Sequence, residues 1–309
     1  MIKQKKIILI ILIFVIVSFI FLKLLDYFFQ KKYGLGNPVI YEKSKIYGYK
    51  LKPNQNIKRR GKNIIINNFG MRSSEDWELN NNKKKIIFFG DSITYGGSIV
   101  NNGDLFSEKV CEKLNQNLSQ FSCGNLAVNG YNVYSIIRSI KYKEFDNEDL
   151  IIITLIGNDF VRTFHNVISQ PFWSKEIDNF FPAITEIVFI LIDRFRNKIK
   201  YNLGSEKNFK NIDLKYYNDL IDELNIVLLK NSKPFIIFYS PSIQELKNQE
   251  DNRYFKKILQ KKFKNFYDMS EIVYSNKDNL FFDHIHLNQN GHEIYSDYIS
   301  NKIKKIFNK

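Results

Sequence analysis

The sequence predicts an α/β protein, a three-layer α/β/α sandwich around a mostly parallel five-stranded sheet, preceded by a transmembrane helix. Short apolar runs alternate with helical stretches after residue 85, which is typical of βαβ units and a parallel sheet. An uncharged aliphatic and aromatic run, residues 7–22, has close to the length that a bilayer requires. The 309 residues and their 44% hydrophobic content suffice for one medium domain with appendages.

Each element of this fold has its own pattern. Buried parallel strands are short apolar runs bounded by polar residues or glycine, and they are expected at residues 86–89, 125–128, 150–155, 234–239 and 265–269. Amphipathic helices are expected at residues 105–118, 133–143 and 288–307. Asp104 is expected to be the N-cap of the first of these helices.

The apolar run near the start predicts an uncleaved signal anchor over residues 1–29. A cleaved signal peptide, the main alternative, requires a small-residue cleavage site, and no alanine precedes Ala127. Lys3, Lys5 and Lys6 favour a cytoplasmic N-terminus, although Lys31 and Lys32 follow on the other side. We therefore expect a single-pass membrane protein with an extracytoplasmic folded domain.

The net charge of +14 is concentrated near the anchor. Residues 1–62 hold 14 lysines and arginines against two acids, Asp26 and Glu42, so the rest of the chain is almost neutral. This distribution argues against a nucleic-acid partner, because a nucleic-acid-binding domain would carry the basic charge itself. An anionic lipid surface and ordinary solvated linker charge both remain open as explanations.

Ser92 is a candidate nucleophile because of its place in the run of residues 86–96, IIFFGDSITYG. It follows directly after a predicted strand, and the carboxyl ends of parallel strands are where α/β proteins bind ligands. A serine hydroxyl needs an oriented base to take its proton. Asp283 and His286, three residues apart near the C-terminus, could supply the acid and the imidazole. Gly130 and Asn158, each beyond another predicted strand, could supply oxyanion donors.

Four sequence blocks in this order resemble the SGNH (GDSL-type) hydrolase family, of the membrane-anchored bacterial type. They are Gly90-Asp91-Ser92, Gly130, Gly157-Asn158-Asp159 and Asp283-His284-Ile285-His286. The resemblance implies a triad of Ser92, Asp283 and His286, with the Ser92 and Gly130 amides and the Asn158 side chain as the oxyanion hole. It also implies a hydrolase domain over residues 85–309, with a helical insertion at 160–212.

The expected function is a serine-dependent acyl ester hydrolase or acyl transferase that acts on O-acylated cell-envelope glycans. No metal or cofactor is expected, and the partners are a small-molecule or glycan ester and the membrane. A lipid or phospholipid esterase and a catalytically silent glycan-binding module on the same fold are the alternatives. A metal site using Asp283, His284, His286 and His292 is the disfavoured alternative for this cluster, although imidazole and carboxylate groups suit zinc. Asp91 and Asp159 are assigned to loop hydrogen bonding, and His292 to the surface or to packing.

Several features leave two interpretations open. Residues 30–84 form a basic juxtamembrane linker in which residues 45–51 and 62–67 are predicted to pair as a hairpin. Within the linker, Arg72 is either a surface arginine, the interpretation favoured here, or a residue that reaches the mouth of the site. Cys111 and Cys123 are either a disulfide or two thiols. The insertion at 160–212 is either a lid or a helix packed on the sheet.

Overall fold

The computed structural model describes residues 2–116, 120–162, 179–202, 214–247 and 253–307. The chain divides into two compact units. The anchor unit comprises Met1–Ile40, Ile57–Lys62 and Pro171–Lys207, and the sheet unit comprises Tyr41–Asn56, Asn63–Gln170 and Asn208–Lys309. The predicted domain boundaries at residues 29 and 84 stay a prediction.

The strands and helices follow one another along the whole described chain. The strands are β1 (Tyr41–Ser44), β2 (Gly48–Leu51), β3 (Gln55–Arg59), β4 (Lys62–Ile66), β5 (Lys84–Phe89), β6 (Phe121–Asn125), β7 (Leu150–Leu155), β8 (Phe235–Tyr239) and β9 (Phe266–Asp268). The helices are α1 (Ile2–Tyr33), α2 (Ser92–Tyr95), α3 (Phe106–Leu114), α4 (Val133–Lys141), α5 (Gly157–Val161), α6 (Pro182–Asn202), α7 (Leu214–Asn231), α8 (Ile243–Lys247), α9 (Arg253–Lys262), α10 (Ser270–Leu280) and α11 (Gln289–Phe307).

The predicted sheet is confirmed as a five-stranded parallel sheet with strand order β6-β5-β7-β8-β9. Strand β5 lies between β6 and β7, with Ile87 opposite Gly124 on one side and Ile151 on the other. One face of the sheet packs on α3, α10 and α11, where Phe106 and Ile299 belong to the main buried cluster. Helix α4 packs on β5 and on α7. Residues of β7 are buried throughout, as expected for a strand that is covered on both faces.

Two local predictions in the sheet unit were wrong. The second strand lies at Phe121–Asn125 rather than at residues 125–128. The prediction missed it because most residues of this strand are small or polar and do not form an apolar run. A Cβ on Gly124 would lie 2.4 Å from the Met71 sulfur, so this strand requires a glycine where it meets a packed side chain. Asp104 does not cap α3; it lies in a 3₁₀ turn, and its carboxylate accepts a hydrogen bond from Gln289 (2.9 Å).

The predicted pairing of residues 45–51 with residues 62–67 was also wrong. Strand β2 pairs antiparallel with β1, and β4 pairs with β3. Both pairings close over short turns. The Ser44 hydroxyl accepts the amides of Ile46 and Tyr47 in the first turn, and the second turn holds Arg60 and Gly61 at positive φ. Local turn chemistry therefore determines which strands pair.

Cys111 and Cys123 form a disulfide whose Cα atoms are 5.8 Å apart, which resolves the open interpretation of this pair. The bond joins α3 to β6 within the sheet unit.

In the anchor unit, α1 has the length and composition of a membrane-spanning helix over Gln4–Tyr33, and its apolar side chains are exposed. Helix α6 packs on α1. Of the predicted insertion, residues 163–178 and 203–213 lie outside the described residues, and its role as a lid stays a prediction.

Candidate active site

The sheet brings three of the predicted site residues to one edge. Ser92 follows β5, Gly130 lies beyond the end of β6, and Asn158 follows β7. These strands are adjacent and parallel, so their carboxyl ends lie at the same edge of the sheet.

Ser92 begins a one-turn helix that its neighbours hold in place. The Asp91 carboxylate caps this helix by accepting the Ile93 amide at 2.9 Å, and Gly96 ends it with a left-handed φ of 81°. Gly90 must be glycine, since a Cβ there would lie 2.3 Å from the Thr94 hydroxyl. Ser92 therefore lies at a tight turn directly after β5, where the backbone has little freedom to move.

Asp283 and His286 lie in the loop between α10 and α11, which is closed by a bridge between Phe281 and Leu287. One oxygen of the Asp283 carboxylate accepts the amides of Ile285 (2.9 Å) and His286 (2.8 Å). The other oxygen lies 2.7 Å from Nδ1 of the His286 ring. Nε2 of the same ring lies 3.0 Å from the Ser92 hydroxyl. The three side chains thus form one continuous hydrogen-bonded chain.

These contacts keep Asp283 ionised. Partial burial acts to raise its pKa, but the hydrogen bonds from His286 and Ile285 together outweigh burial and leave the pKa below its ordinary value. The His286 and Asp283 side chains retain 29% and 37% of their exposure, so the site is open to solvent.

The Ser92 hydroxyl has a second acceptor, the Asp91 carboxylate at 3.2 Å. Asp91 is fully buried beside Asp159, and Arg162 lies 3.6 Å from both carboxylates. Burial, and then the charge of Asp91, raise the pKa of Asp159 well above its ordinary value. Asp159 also accepts the Ile156 amide at 3.1 Å, so the loop hydrogen bonding predicted for both aspartates is confirmed.

Two of the predicted oxyanion donors, Gly130 and Asn158, lie at the same edge of the sheet as Ser92. Gly130 has a left-handed φ of 80°, and a Cβ there would lie 2.7 Å from the Tyr49 hydroxyl. That hydroxyl donates to the carbonyl of Asn129 at 2.6 Å, so strand β2 supports the glycine loop. Asn158 is half-buried, and within the described part of the chain its side-chain amide has no hydrogen-bond partner.

Arg72 is the residue whose interpretation was wrong, because it is fully buried rather than on the surface. Its guanidinium donates to the carbonyls of Tyr95 (2.6 Å), Gly97 and Val100 (2.7 Å) and to the Asn102 side chain (3.2 Å). These acceptors lie in the last residue of α2 and in the loop that follows it. Arg72 therefore holds the segment directly after α2.

Asn125 supports the same helix from strand β6, and sequence reasoning also missed this role. Its amide donates to the carbonyl of Thr94 (2.7 Å) and to the hydroxyl of Ser107 (3.0 Å). Short helices leave their last carbonyls without intrahelical donors, so Arg72 and Asn125 satisfy acceptors that α2 cannot satisfy itself. An asparagine that ends a strand and an arginine after a glycine turn were the available signals.

Two other histidines, His284 and His292, lie apart from this hydrogen-bonded chain. His284 is exposed, whereas His292 is buried against the Phe106 ring and accepts the Phe106 amide at 3.2 Å. Of the two interpretations given for His292, surface or packing, packing is therefore the one confirmed. Burial, followed by the charges of Arg72 and Lys109, lowers the pKa of His292 to about 3. Across the residues that the structure describes, no three His, Cys, Asp or Glu side chains are grouped as a metal site.

Residues 86–299, well over half of the chain, match the family model of the GDSL-like lipase/acylhydrolases. The chain belongs to this family. It is therefore an ester hydrolase of the GDSL type, as the four sequence blocks predicted. The family-matched region begins in β5 and ends in α11, so it includes the whole parallel sheet.

Solved structures similar to this GDSL-like hydrolase include a lipase/acylhydrolase from Enterococcus faecalis, with 16% identity and a TM-score of 0.46, over 72% of this chain and 96% of that one. An acetyl xylan esterase, AlAXEase, has 15% identity and a TM-score of 0.45, over 72% and 98%. A two-domain esterase active on acetylated mannans has 13% identity and a TM-score of 0.44, over 74% and 50%. A search of curated protein sequences finds no match.

Proposed function

We propose that this GDSL-like hydrolase cleaves acyl esters through a triad of Ser92, His286 and Asp283. The observation that carries the proposal is the hydrogen-bonded chain in which the His286 ring lies 3.0 Å from the Ser92 hydroxyl and 2.7 Å from Asp283. Base-assisted attack by serine requires this arrangement, with the acid on one ring nitrogen and the nucleophile on the other.

In the proposed reaction, Nε2 of His286 takes the Ser92 proton as the serine oxygen attacks the ester carbonyl. Asp283 holds the ring in the required tautomer and stabilises the imidazolium that forms. The tetrahedral intermediate then collapses, His286 gives the proton to the leaving alcohol, and the acyl group stays on Ser92. Water, activated by the same imidazole, releases the acid in a hydrolase. A sugar hydroxyl in place of water would make the enzyme a transferase.

The negative charge of the intermediate requires donors, and we assign the Ser92 and Gly130 amides and the Asn158 side chain to that role. Two features support the assignment. Ser92 lies at the first turn of α2, where helix amides are unpaired, and the Asn158 amide is free of hydrogen bonds in the described chain. Asp91 offers the Ser92 hydroxyl a competing acceptor, so the productive state is the one in which the hydroxyl donates to His286.

The proposed substrate is an O-acylated glycan of the cell envelope. An acyl group on a polymer must reach the nucleophile without entering a deep pocket, and the partly exposed His286 and Asp283 are compatible with this. The proposed location is the membrane, with one span and an extracytoplasmic sheet unit. The apolar helix α1 supports the span, and the Cys111–Cys123 disulfide favours an oxidising compartment.

The first experiment is labelling of the full-length protein in detergent with a fluorophosphonate, which reacts only with an activated serine. We expect the parent to be labelled and the Ser92→Ala and His286→Ala variants to be unlabelled. A folded parent that stays unlabelled would instead indicate a catalytically silent binding module. Initial rates on acetylated polysaccharide, short-chain esters and phospholipid vesicles then separate glycan from lipid esterase, and faster turnover of phospholipid would overturn the glycan proposal.

A further inference from the structure

Helix α6 of the anchor unit has a nearly continuous apolar face that is exposed to solvent. The exposed large apolar side chains on and just before this helix are Phe180, Val188, Phe189, Leu191, Ile192 and Phe195, with Phe180 and Phe195 exposed to 75% and 67%. Proteins that are surrounded by water rarely expose so many large apolar side chains together. The face therefore requires a partner of apolar chemistry.

The residues that lead into α6 are fixed against the apolar part of α1. The Phe181 ring packs edge-to-face on Phe19, with centroids 5.5 Å apart. The Lys23 ammonium lies over the rings of Phe180 (5.3 Å) and Phe181 (4.9 Å) and donates to the Phe180 carbonyl. Phe19 belongs to the uncharged run, and Lys23 is the first charge after it. Lysines at such positions mark the boundary between acyl chains and headgroups.

The first turn of α6 is held at this same end of α1. The Ile184 amide donates to the buried Asp26 carboxylate at 2.9 Å, and the Gly36 amide donates to Glu186 at 2.6 Å. Glu186 also forms a buried ion pair with Arg59. Asp26, Glu186 and Arg59, whose charges would be costly in lipid, therefore have partners inside the unit, whereas α6 directs apolar side chains outward.

Basic side chains lie beside the exposed aromatic residues at the end of α1, where the Lys31 ammonium is 5.7 Å from the centre of the Tyr27 ring and the Lys32 ammonium is 5.2 Å from that of Phe28. Lys31 and Lys32, in the last turn of α1, and Lys58, in strand β3, are exposed. Ammonium groups next to an exposed apolar face match the chemistry of a bilayer surface, where anionic headgroups lie directly outside the acyl chains.

We propose that α6 is an interfacial membrane helix, with its apolar face seated at the boundary of acyl chains and headgroups in the bilayer that α1 spans. The inference rests on α1 as a membrane span, which is part of the proposed function. The occupant is lipid rather than protein, because α6 packs on the apolar helix α1, and the Lys23 ammonium at the end of the apolar run lies over the aromatic residues that lead into α6. The protein would then contact the bilayer at two places, a spanning helix and a helix in the plane of the surface.

Site-specific labelling tests this proposal. The two native cysteines are joined in a disulfide, so a cysteine introduced by Leu191→Cys is the only free thiol of the chain. Val15→Cys, in the middle of the apolar run of α1, and Ser275→Cys, exposed on α10, are the matched controls. Each full-length variant is labelled with the environment-sensitive dye NBD and reconstituted in vesicles of phosphatidylcholine and phosphatidylglycerol. Fluorescence is then measured with and without lipids that carry doxyl quenchers near the headgroup or deep in the acyl chain.

We expect the labels at positions 15 and 191 to be quenched at least twofold more than the label at 275, with position 191 quenched more strongly by the shallow doxyl. Quenching at 15 with solvent-like emission at 191 overturns the proposal for α6 and leaves the anchor intact. Blue-shifted but unquenched emission at 191 also overturns it, because another protein surface would then cover the face. An unquenched label at 15 contradicts the membrane span itself, and the inference for α6 fails with it.

Discussion

Replacing Arg72 tests whether the segment ahead of the sheet holds the loop that follows α2. Arg72→Met removes the donors for three backbone carbonyls and for the Asn102 side chain, all at a fully buried position. A buried acceptor that loses its partner costs roughly 1–3 kcal/mol. Water entering the space left by the guanidinium will recover part of this. We therefore expect the free energy of unfolding to fall by about 3–5 kcal/mol.

Arg72→Lys separates charge from geometry. Lysine keeps the positive charge, but its single ammonium group cannot replace the planar guanidinium, whose nitrogens donate to acceptors from Tyr95 to Asn102. We expect a loss of stability about half that of the methionine variant, and we expect Ser92 to react more slowly with a fluorophosphonate in both variants, because the loop after α2 loses its support.

The assay is urea unfolding of the full-length protein in detergent, followed by tryptophan fluorescence, together with labelling rates measured in the absence of urea. Lys277→Met, at an exposed position on α10, is the matched control and is expected to change neither quantity. A change of less than about 1 kcal/mol in the methionine variant, with unchanged labelling, would refute the reasoning, since it would show that these hydrogen bonds contribute no more than ordinary surface contacts.

Three further predictions address other parts of the sheet unit. Asn158→Ala is expected to fold normally and to lose about 100-fold or more in turnover of p-nitrophenyl acetate; near-parental turnover would remove Asn158 from the site. Burial raises the pKa of Glu108 to about 7 from 4.5, so the folded protein holds an extra proton between these values and loses stability, on the order of 3 kcal/mol, as the pH rises through this window. Glu108→Gln should flatten that dependence in unfolding curves recorded from pH 4.5 to 8, and an unchanged slope would contradict the assignment. Replacing Cys111 and Cys123 by serine should lower the free energy of unfolding by about 3 kcal/mol and make it insensitive to reductant. A parent protein whose free energy of unfolding did not change with reductant would argue against the disulfide.

The sequence predicted best those features that depend on local pattern. Apolar runs located four of the five parallel strands, and short motifs selected Ser92, Asp283 and His286, whose side chains lie within hydrogen-bonding distance of one another in the structure. Their catalytic roles remain a proposal. Strand β6 was placed too late, because most of its residues are small or polar and it is recognised only by what packs on Gly124.

Features that depend on distant contacts were missed for a physical reason. The burial of Arg72 follows from carbonyls more than twenty residues away, and the support of the Gly130 loop by Tyr49 joins positions eighty residues apart. Neither relation leaves a periodic pattern in the sequence. Arginine side chains are usually exposed, so the residue type alone favours the wrong interpretation of Arg72 until the acceptors around it are known.

The position of Arg72 ahead of the sheet affects where this enzyme can be shortened. A truncated protein that begins at residue 86, where the family match starts, would keep Ser92 and His286 but would lack Arg72 and also Trp77, which is buried against Gly124. Such a fragment would be expected to express as an unstable protein with a disordered loop beside Ser92. Shortened versions should instead keep the chain from about Tyr41, so that Tyr41, Tyr49 and Arg72 remain.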